Sequence, residues 1–275
     1  MNLGAAEFEQ IAKLAYSESG LQLVAEKTSM IQSRLRHRLK ALGIPDFRTY
    51  TNFVCSSQGL EERRQMISAL TTNVSHFFRE QHHFDILAQS SKTYFLERLF
   101  EGRPMRIWSA GCSNGQEATS VAITMLNMVP DIAKYDFKIL ATDIDPNVVE
   151  FARQGVYPER LMGGVPAADK VKYFSAAEHG DETSFTVKSE IQKLITFKEL
   201  NLLSSWPMKM QMDFIFCRNV VIYFDLKTQN ALWPRFHSQL KPDGYLFLGH
   251  SERVANPESV GFDSCGPTAY RPLKK

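Results

Sequence analysis

Apolar residues recur at helical spacing through residues 5 to 70, first as Phe8, Ile11, Leu14 and Ala15 and later as Met30, Ile31, Leu35, Leu39 and Leu42. This predicts a small all-α lobe. Within it, "KTSMIQSRLRHRLKALG" reads as one short helix ending near Gly43, a residue suited to a left-handed C-cap. From Gly102 onward the grammar changes. The apolar strands "MRIWSA" and "FKILATDID" alternate with the helices "GQEATSVAITMLNMV" and "PNVVEFARQGVY", the latter with Pro146 in its first turn. That is a βαβ unit, so the sheet is parallel. Further along, "MDFIFCRNVVIYF" reads as a strand and polar turn, "LKTQNALWPRFHSQL" as a helix, "PDGYLFLGHSE" as a strand and "GFDSCGPTAYRPL" as terminal strands. An insertion of about Gly163 to Thr196 carries the alternating stretches "KVKYFS" and "SFTVKSEI" around "AEHGDE", which predicts a small antiparallel hairpin subdomain. The fold class is α/β: a helical domain over 1-72, a linker and connecting helix over 73-102, and a Rossmann-like domain over 103-275 with its β-subdomain at 163-196.

Composition narrows the function classes. The 275 residues are 44% hydrophobic, enough for a real core, and a formal charge of +2 does not call for nucleic acid. Cys55, Cys112, Cys217 and Cys265 are far apart and none forms a C-x-x-C pair, so reduced thiols and no metal site are expected. The start lacks the pattern of a signal peptide, and no apolar run approaches the roughly 18 residues of a membrane span, so a cytoplasmic protein without membrane insertion is expected. Lys27, Arg34, Arg36, Arg38 and Lys40 lie along the short helix of the first lobe. They are either a solvated face or a docking surface for an acidic partner.

The chemistry concentrates in "WSAGCSNGQEATS", Trp108 to Ser120, which follows the first strand where open α/β sheets bind ligands. Gly111 and Gly115 allow close backbone approach and a tight turn. Asp143, ending the second strand in "LATDID", can accept hydrogen bonds from ribose hydroxyls, while Asp145 before Pro146 is the better helix cap. Glu117 in the first turn of the following helix repels a pyrophosphate but suits a cationic sulfonium and ammonium. S-adenosylmethionine is therefore favoured over a dinucleotide, although Glu117 can also be an ordinary helix-start acid.

Several stretches together resemble the CheR-type chemotaxis receptor methyltransferases: "ALTTNVSHFFRE", "SAGCSNGQEATS", "ATDIDPNVVEFARQGVY", "FCRNVVIYFD" and "LKPDGYLFLGHSE", in order and across nearly the whole chain. The resemblance implies a protein-glutamate O-methyltransferase that moves the methyl group of S-adenosylmethionine to glutamates in the cytoplasmic signalling domain of chemoreceptors. It implies that Asn73, Ser75 and Arg79 reach the cofactor from the linker, that Glu117 faces its methionine end and Asp143 its ribose, and that Asn201 and Leu202 flank the adenine. Asn219, Val220 and Tyr223 would line the methyl-transfer pocket, with Gly111 beside the cofactor. Arg79 and Tyr223 are the candidate catalytic residues, the alternatives being an Arg79–Glu80 ion pair between lobes and plain packing for Tyr223. Arg34, Arg36, Arg38 and Lys40 become the expected receptor-docking surface.

Two features depart from the family. Gln116, Glu117, Ala118 and Thr119 stand where Glu-Glu-Pro-Tyr is common, and the hairpin "SAAEHGDETS" has only Gly180, which argues against capture of a receptor tail as an added strand. The readings left beside receptor methylation are a same-family enzyme with another signalling protein as substrate, and a cofactor-binding module with impaired catalysis. A monomer is expected. His82 and His83, being adjacent, form no metal pair, and Gly249 to Ser251 lacks the strand-turn-helix context of a hydrolase elbow.

Overall fold

Helical spacing in the first lobe becomes four helices, α1 (Ala5–Ser19), α2 (Thr28–Leu42), α3 (Phe47–Cys55) and α4 (Leu60–Leu70). The computed structural model describes residues 2–179 and 182–273. Ile11 and Ala15 of α1, Ile31, Leu35 and Leu39 of α2, Tyr50 and Val54 of α3, and Met66 and Ile67 of α4 close one buried core. Gly43 ends α2 as the sequence predicts, with φ 66 and its N–H returned to the carbonyls of Leu39 and Lys40. Residues 71–81 cross to the second domain without regular structure. Then α5 (His82–Ser90) continues through one π-turn, Ser91–Phe95, into α6 (Leu96–Phe100). Phe84, Leu87, Phe95 and Leu99 from this connecting segment belong to the core of the second domain.

That domain runs β1 (Met105–Ala110), α7 (Gln116–Met128), β2 (Phe137–Asp143), α8 (Pro146–Gln154), β3 (Val156–Pro158), α9 (Ala167–Tyr173), β4 (Phe174–His179), β5 (Glu182–Val187), α10 (Ser189–Gln192), β6 (Ile195–Glu199), β7 (Met212–Cys217), α11 (Leu226–Gln239), β8 (Leu240–Leu248), β9 (Phe262–Gly266) and β10 (Ala269–Pro272). The main sheet has seven strands in the order β6-β2-β1-β7-β8-β10-β9. Its first five are parallel, and β10 is antiparallel to both β8 and β9. The strands after β1 and after β7 run to opposite sides, so the carboxyl ends of β1 and β7 open a crevice at the switch point. β7 is buried at every position, as a parallel strand covered on both faces should be.

The β-subdomain has one strand more than the predicted hairpin and its strands span 156–187, since Ile195 and Thr196 at the end of the expected insertion pair with β2 in the main sheet. The subdomain is a three-stranded antiparallel sheet, β3-β5-β4, and its first strand lies ahead of the expected boundary. Gly155, with φ 64, stops α8 after Gln154 and turns the chain into β3, so "GVY" leaves the helix it was assigned to. The "KVKY" of "KVKYFS" is the end of α9 and not strand, because Tyr173 turns inward as the buried residue of a helix; pairing starts only at Phe174. The turn at Gly180 lies outside the described residues. Among the described residues, no helix is long and apolar enough to cross a membrane.

Candidate functional site

The crevice at the switch point is a cavity between the lobes. Its lining includes Asn73, Ser75, Arg79, Gly111, Glu117, Asp143, Asn201, Leu202, Asn219, Val220 and Tyr223, which gathers every residue assigned to cofactor or catalysis from the sequence. Ser19, Leu21, Thr71 and Thr72 bring the helical lobe to the same wall.

The glycine turn supplies the floor. Gly111 has φ 91, and a Cβ there would lie 2.2 Å from Val220 Cγ2, so backbone freedom and lack of a side chain are both required. Ser113 follows with φ 49, unusual for a residue with a Cβ. Its N–H donates to Asp143 Oδ2 at 2.8 Å, and Asp143 Oδ1 accepts from the N–H of Asp145 at 3.0 Å. Burial pushes the Asp143 carboxyl up to about 6, against the pull of these backbone donors. Each oxygen keeps a lone pair for a further donor in the cavity. Asp145 accepts from the N–H of Asn147 at 2.9 Å and from Asn73 Nδ2 at 2.6 Å, so it caps α8 and ties down the linker.

Across the floor, Glu117 in the first turn of α7 accepts from Ser109 Oγ at 2.6 Å. Burial raises its pKa and the Arg218 guanidinium, 3.2 Å away, opposes that rise. Arg218 is the functional residue that the sequence reading missed. Its side chain is 2% exposed and also binds Glu80 Oε2 at 3.1 Å, donates to the carbonyl of Arg79 and faces the Phe84 ring. Burial alone would raise Glu80, but Arg218 and the His250 donors outweigh it and leave Glu80 at about 2. The "FCRNV" stretch carried Arg218 in plain view, yet a basic residue after a buried strand gives no signal of partners about 138 residues away.

An acid that the sequence reading also missed holds the far wall. Glu252 is buried, and Oε2 accepts the N–H groups of Asn219 at 2.8 Å and Gly249 at 2.6 Å, while Oε1 accepts that of Ile222 at 3.2 Å. Asn219 needs this anchor, since its φ is 60. A Cβ at Gly249 would meet Asn219 Nδ2 at 2.4 Å, which gives the glycine of "GHSE" a packing reason.

Individual assignments sharpen. Asn201 lies on the cavity, but its side chain is partly committed: Nδ2 donates to the carbonyl of Glu18 at 2.7 Å and Oδ1 accepts from the N–H of Leu203 at 2.9 Å. One amide hydrogen and one oxygen lone pair of the side chain stay beyond these two bonds. Gln116, at the departure from the family motif, is buried and donates to the Ser75 carbonyl at 3.2 Å, so the altered turn still holds the linker. The Arg79–Glu80 ion pair exists only as a 4.0 Å contact. Cys112 and Cys217 are buried, and burial pushes both thiols well up, away from reactivity.

The expected basic face of α2 is corrected. Arg34 donates to the carbonyls of Leu70 and Thr71, each at 2.8 Å, at the end of α4, and Arg38 forks onto the buried Glu62 at 2.6 and 3.0 Å. Residues four apart share a helix side. Arg34 and Arg38 thus face α4, whereas Arg36 and Lys40 lie on an exposed side.

The cavity suits a zwitterionic nucleoside cofactor: a carboxylate at Glu117 for a cationic end, a second at Asp143 for vicinal hydroxyls, and a floor at Gly111 that admits no side chain. Comparison with known proteins agrees. The family model "CheR methyltransferase, SAM binding domain" matches residues 73–269, and "CheR methyltransferase, all-alpha domain" matches residues 6–71. A "Probable chemotaxis protein methyltransferase" of Rhizobium etli is 45% identical over 258 residues, 94% of this chain and 96% of the relative. A "Chemotaxis protein methyltransferase" of Borreliella burgdorferi is 37% identical over 95% of this chain and 93% of its own length, and one of Escherichia coli 38% over 98% and 91%.

Proposed function

The chain belongs to the CheR methyltransferase family and is a member of its S-adenosylmethionine-dependent chemotaxis enzymes, and from that premise we propose that it methylates glutamate side chains in the cytoplasmic signalling domain of chemoreceptors. The products are glutamate methyl esters and S-adenosylhomocysteine, and the reaction takes place in the cytoplasm. The observation that carries this reading is the presence of Arg79 and Tyr223 on the same cavity as Glu117 and Asp143. A substrate carboxylate then meets a cation at the place where the methyl group is offered.

Bound S-adenosylmethionine supplies a methyl carbon on a sulfonium, a good leaving group. The incoming glutamate is already ionised at neutral pH, so the residues here need not remove a proton. Their work is placement. Glu117 would hold the cationic methionine end and Asp143 the ribose. Arg79, its guanidinium only loosely engaged at 3.4 Å from the Val74 carbonyl, is available to grip the carboxylate by charge-assisted hydrogen bonds. Tyr223 borders the same space and can direct its hydroxyl to the second carboxylate oxygen. Arg79 would orient the carboxylate oxygen that accepts the methyl group of bound S-adenosylmethionine. Alignment of this kind is worth about 7 to 11 kcal/mol of barrier.

The test is incubation with methyl-labelled S-adenosylmethionine and receptor-containing membranes, followed by mild alkali. Volatile methanol from a receptor band is the expected result. Base-labile label on another signalling protein would move the substrate within the same chemistry, and no label despite S-adenosylhomocysteine binding would remove the catalytic claim.

A further inference from the structure

Arg79 stands between two non-glycine residues in the left-handed region, Phe78 with φ 53 and Glu80 with φ 58. Such backbone persists only where its surroundings hold it. Phe78 donates its N–H to Ser120 Oγ at 3.0 Å and packs edge-on against Phe84. Glu80 is held through its carboxylate. Oε2 accepts from Arg218 Nε at 3.1 Å, and Oε1 accepts the N–H of His250 at 3.0 Å and lies 3.1 Å from His250 Nδ1. Arg218 also donates to the Arg79 carbonyl and pairs with Glu117 at 3.2 Å. Among the described residues, the polar contacts of the Arg79 side chain are the long ones to Val74 and Glu80 given above, so its direction is set by the main chain of this turn.

From this we infer that Glu80 is a positioning residue for Arg79, acting through the turn it pins, with Arg218 linking that turn to Glu117. Glu80 does not line the cavity, whereas Arg79, Arg218 and Glu117 do. The inference rests on the methyl-transfer reading above. It ties together a half-buried carboxylate placed directly after Arg79 and a buried cation that binds this carboxylate and also holds the Arg79 carbonyl. Arg218 and His250 hold the Glu80 carboxyl well below the usual carboxylate range.

Glu80→Gln keeps size and an acceptor oxygen but removes the charge. In the full chain, receptor methylation should lose at least about tenfold in kcat, since about 1 Å of misplacement can cost about a hundredfold. S-adenosylhomocysteine affinity by calorimetry should stay near that of the parent, while the melting temperature falls by several degrees because the buried Arg218 keeps only one of its two carboxylate partners. In an Arg79→Ala background the same change should add no further loss, because its effect passes through Arg79; losses that multiply would overturn the inference, as would a parent-like kcat. Hydrogen exchange across residues 76 to 82 provides a readout independent of substrate. If the parent protein labels no receptor, the proposed function falls but this inference is still decided: faster exchange in Glu80→Gln with intact ligand binding supports it, and unchanged exchange overturns it. Should Glu80→Gln fail to fold, His250→Ala at an exposed side chain takes its place, with a several-fold fall in kcat as the supporting result and no fall as the refuting one.

Discussion

Four residues beside the cavity, Phe78, Glu80, Ser113 and Asn219, hold a left-handed backbone without being glycine. Each such conformation costs about 1 to 3 kcal/mol, and here each is fixed by a polar side chain: Ser120, Arg218, Asp143 and Glu252 in turn. Asp143 therefore has two jobs, to hold Ser113 and to face the ligand. Asp143→Ala should weaken S-adenosylhomocysteine binding by about 1.5 to 3 kcal/mol, the range for hydrogen bonds to a charged group, read by calorimetric titration. A parent-like titration would remove the ribose assignment. The pH dependence follows from the same carboxyl, raised by burial to about 6 in the free protein. Donors from ribose hydroxyls favour the ionised form, so the pKa is lower in the complex than in the free protein. Affinity should then be level above pH 6 and fall as pH drops through 6, with proton release on binding in that interval. An affinity that is flat from pH 5 to 8 would sink the argument.

At the scale of the element, α2 separates what periodicity can and cannot say. Of the apolar positions Met30, Ile31, Leu35, Leu39 and Leu42, the three spaced four apart, Ile31, Leu35 and Leu39, form the buried stripe, while Met30 and Leu42 are exposed. The fate of Arg34 and Arg38 depends on α4, about 24 to 37 residues on, and no local pattern encodes that contact. The short β3 and the helical "KVKY" escaped for a related reason: stretches of three or four residues show alternation and helical spacing equally well. Two opposite outcomes are expected on α2. Arg38→Ala strands the buried Glu62, which then keeps only the Tyr50 hydroxyl at 2.8 Å, and should cost about 2 to 3 kcal/mol of stability in denaturant melts. That figure sits below the range for a fully buried pair because the Arg38 side chain is 25% exposed. Charge reversal of Arg36 and Lys40 together should leave stability and S-adenosylhomocysteine binding nearly unchanged while weakening receptor methylation. Parent-like methylation in that double variant would remove α2 as a docking surface.

On the scale of the whole molecule, the lobes meet through both apolar and polar contacts, with Ile144 and Tyr223 of the α/β domain packed on the core of the helical lobe. Tyr16 donates to Asp225 Oδ2 at 2.7 Å, Gln22 N–H to the Tyr223 carbonyl at 3.0 Å, Asn201 to the Glu18 carbonyl, and Asn147 to Ser68 Oγ at 2.8 Å. Interfaces of this composition resemble transient ones, and relative motion of the domains is the ordinary expectation. Sequence motifs named residues of the linker and of the α/β side of the cavity, because each motif is local, whereas Ser19 and Leu21 on the wall of the helical lobe carried no such signal. The motifs did not contain the joint itself, whose partners lie up to 209 residues apart. A ligand between the lobes touches Leu21 and Thr72 on one side and Gly111 and Val220 on the other, so its binding energy should couple them. At about 100 times its Kd, S-adenosylhomocysteine should add about 2.7 kcal/mol. For a chain of this size that is a rise in Tm of about 5 to 10 °C. Calorimetric scans should show the helical lobe rising along with the α/β domain and the two melting as one transition. If only the α/β transition rises while the helical lobe melts as before, the lobe does not share the ligand, and closure of the linker over the cofactor must be local to residues 73 to 80.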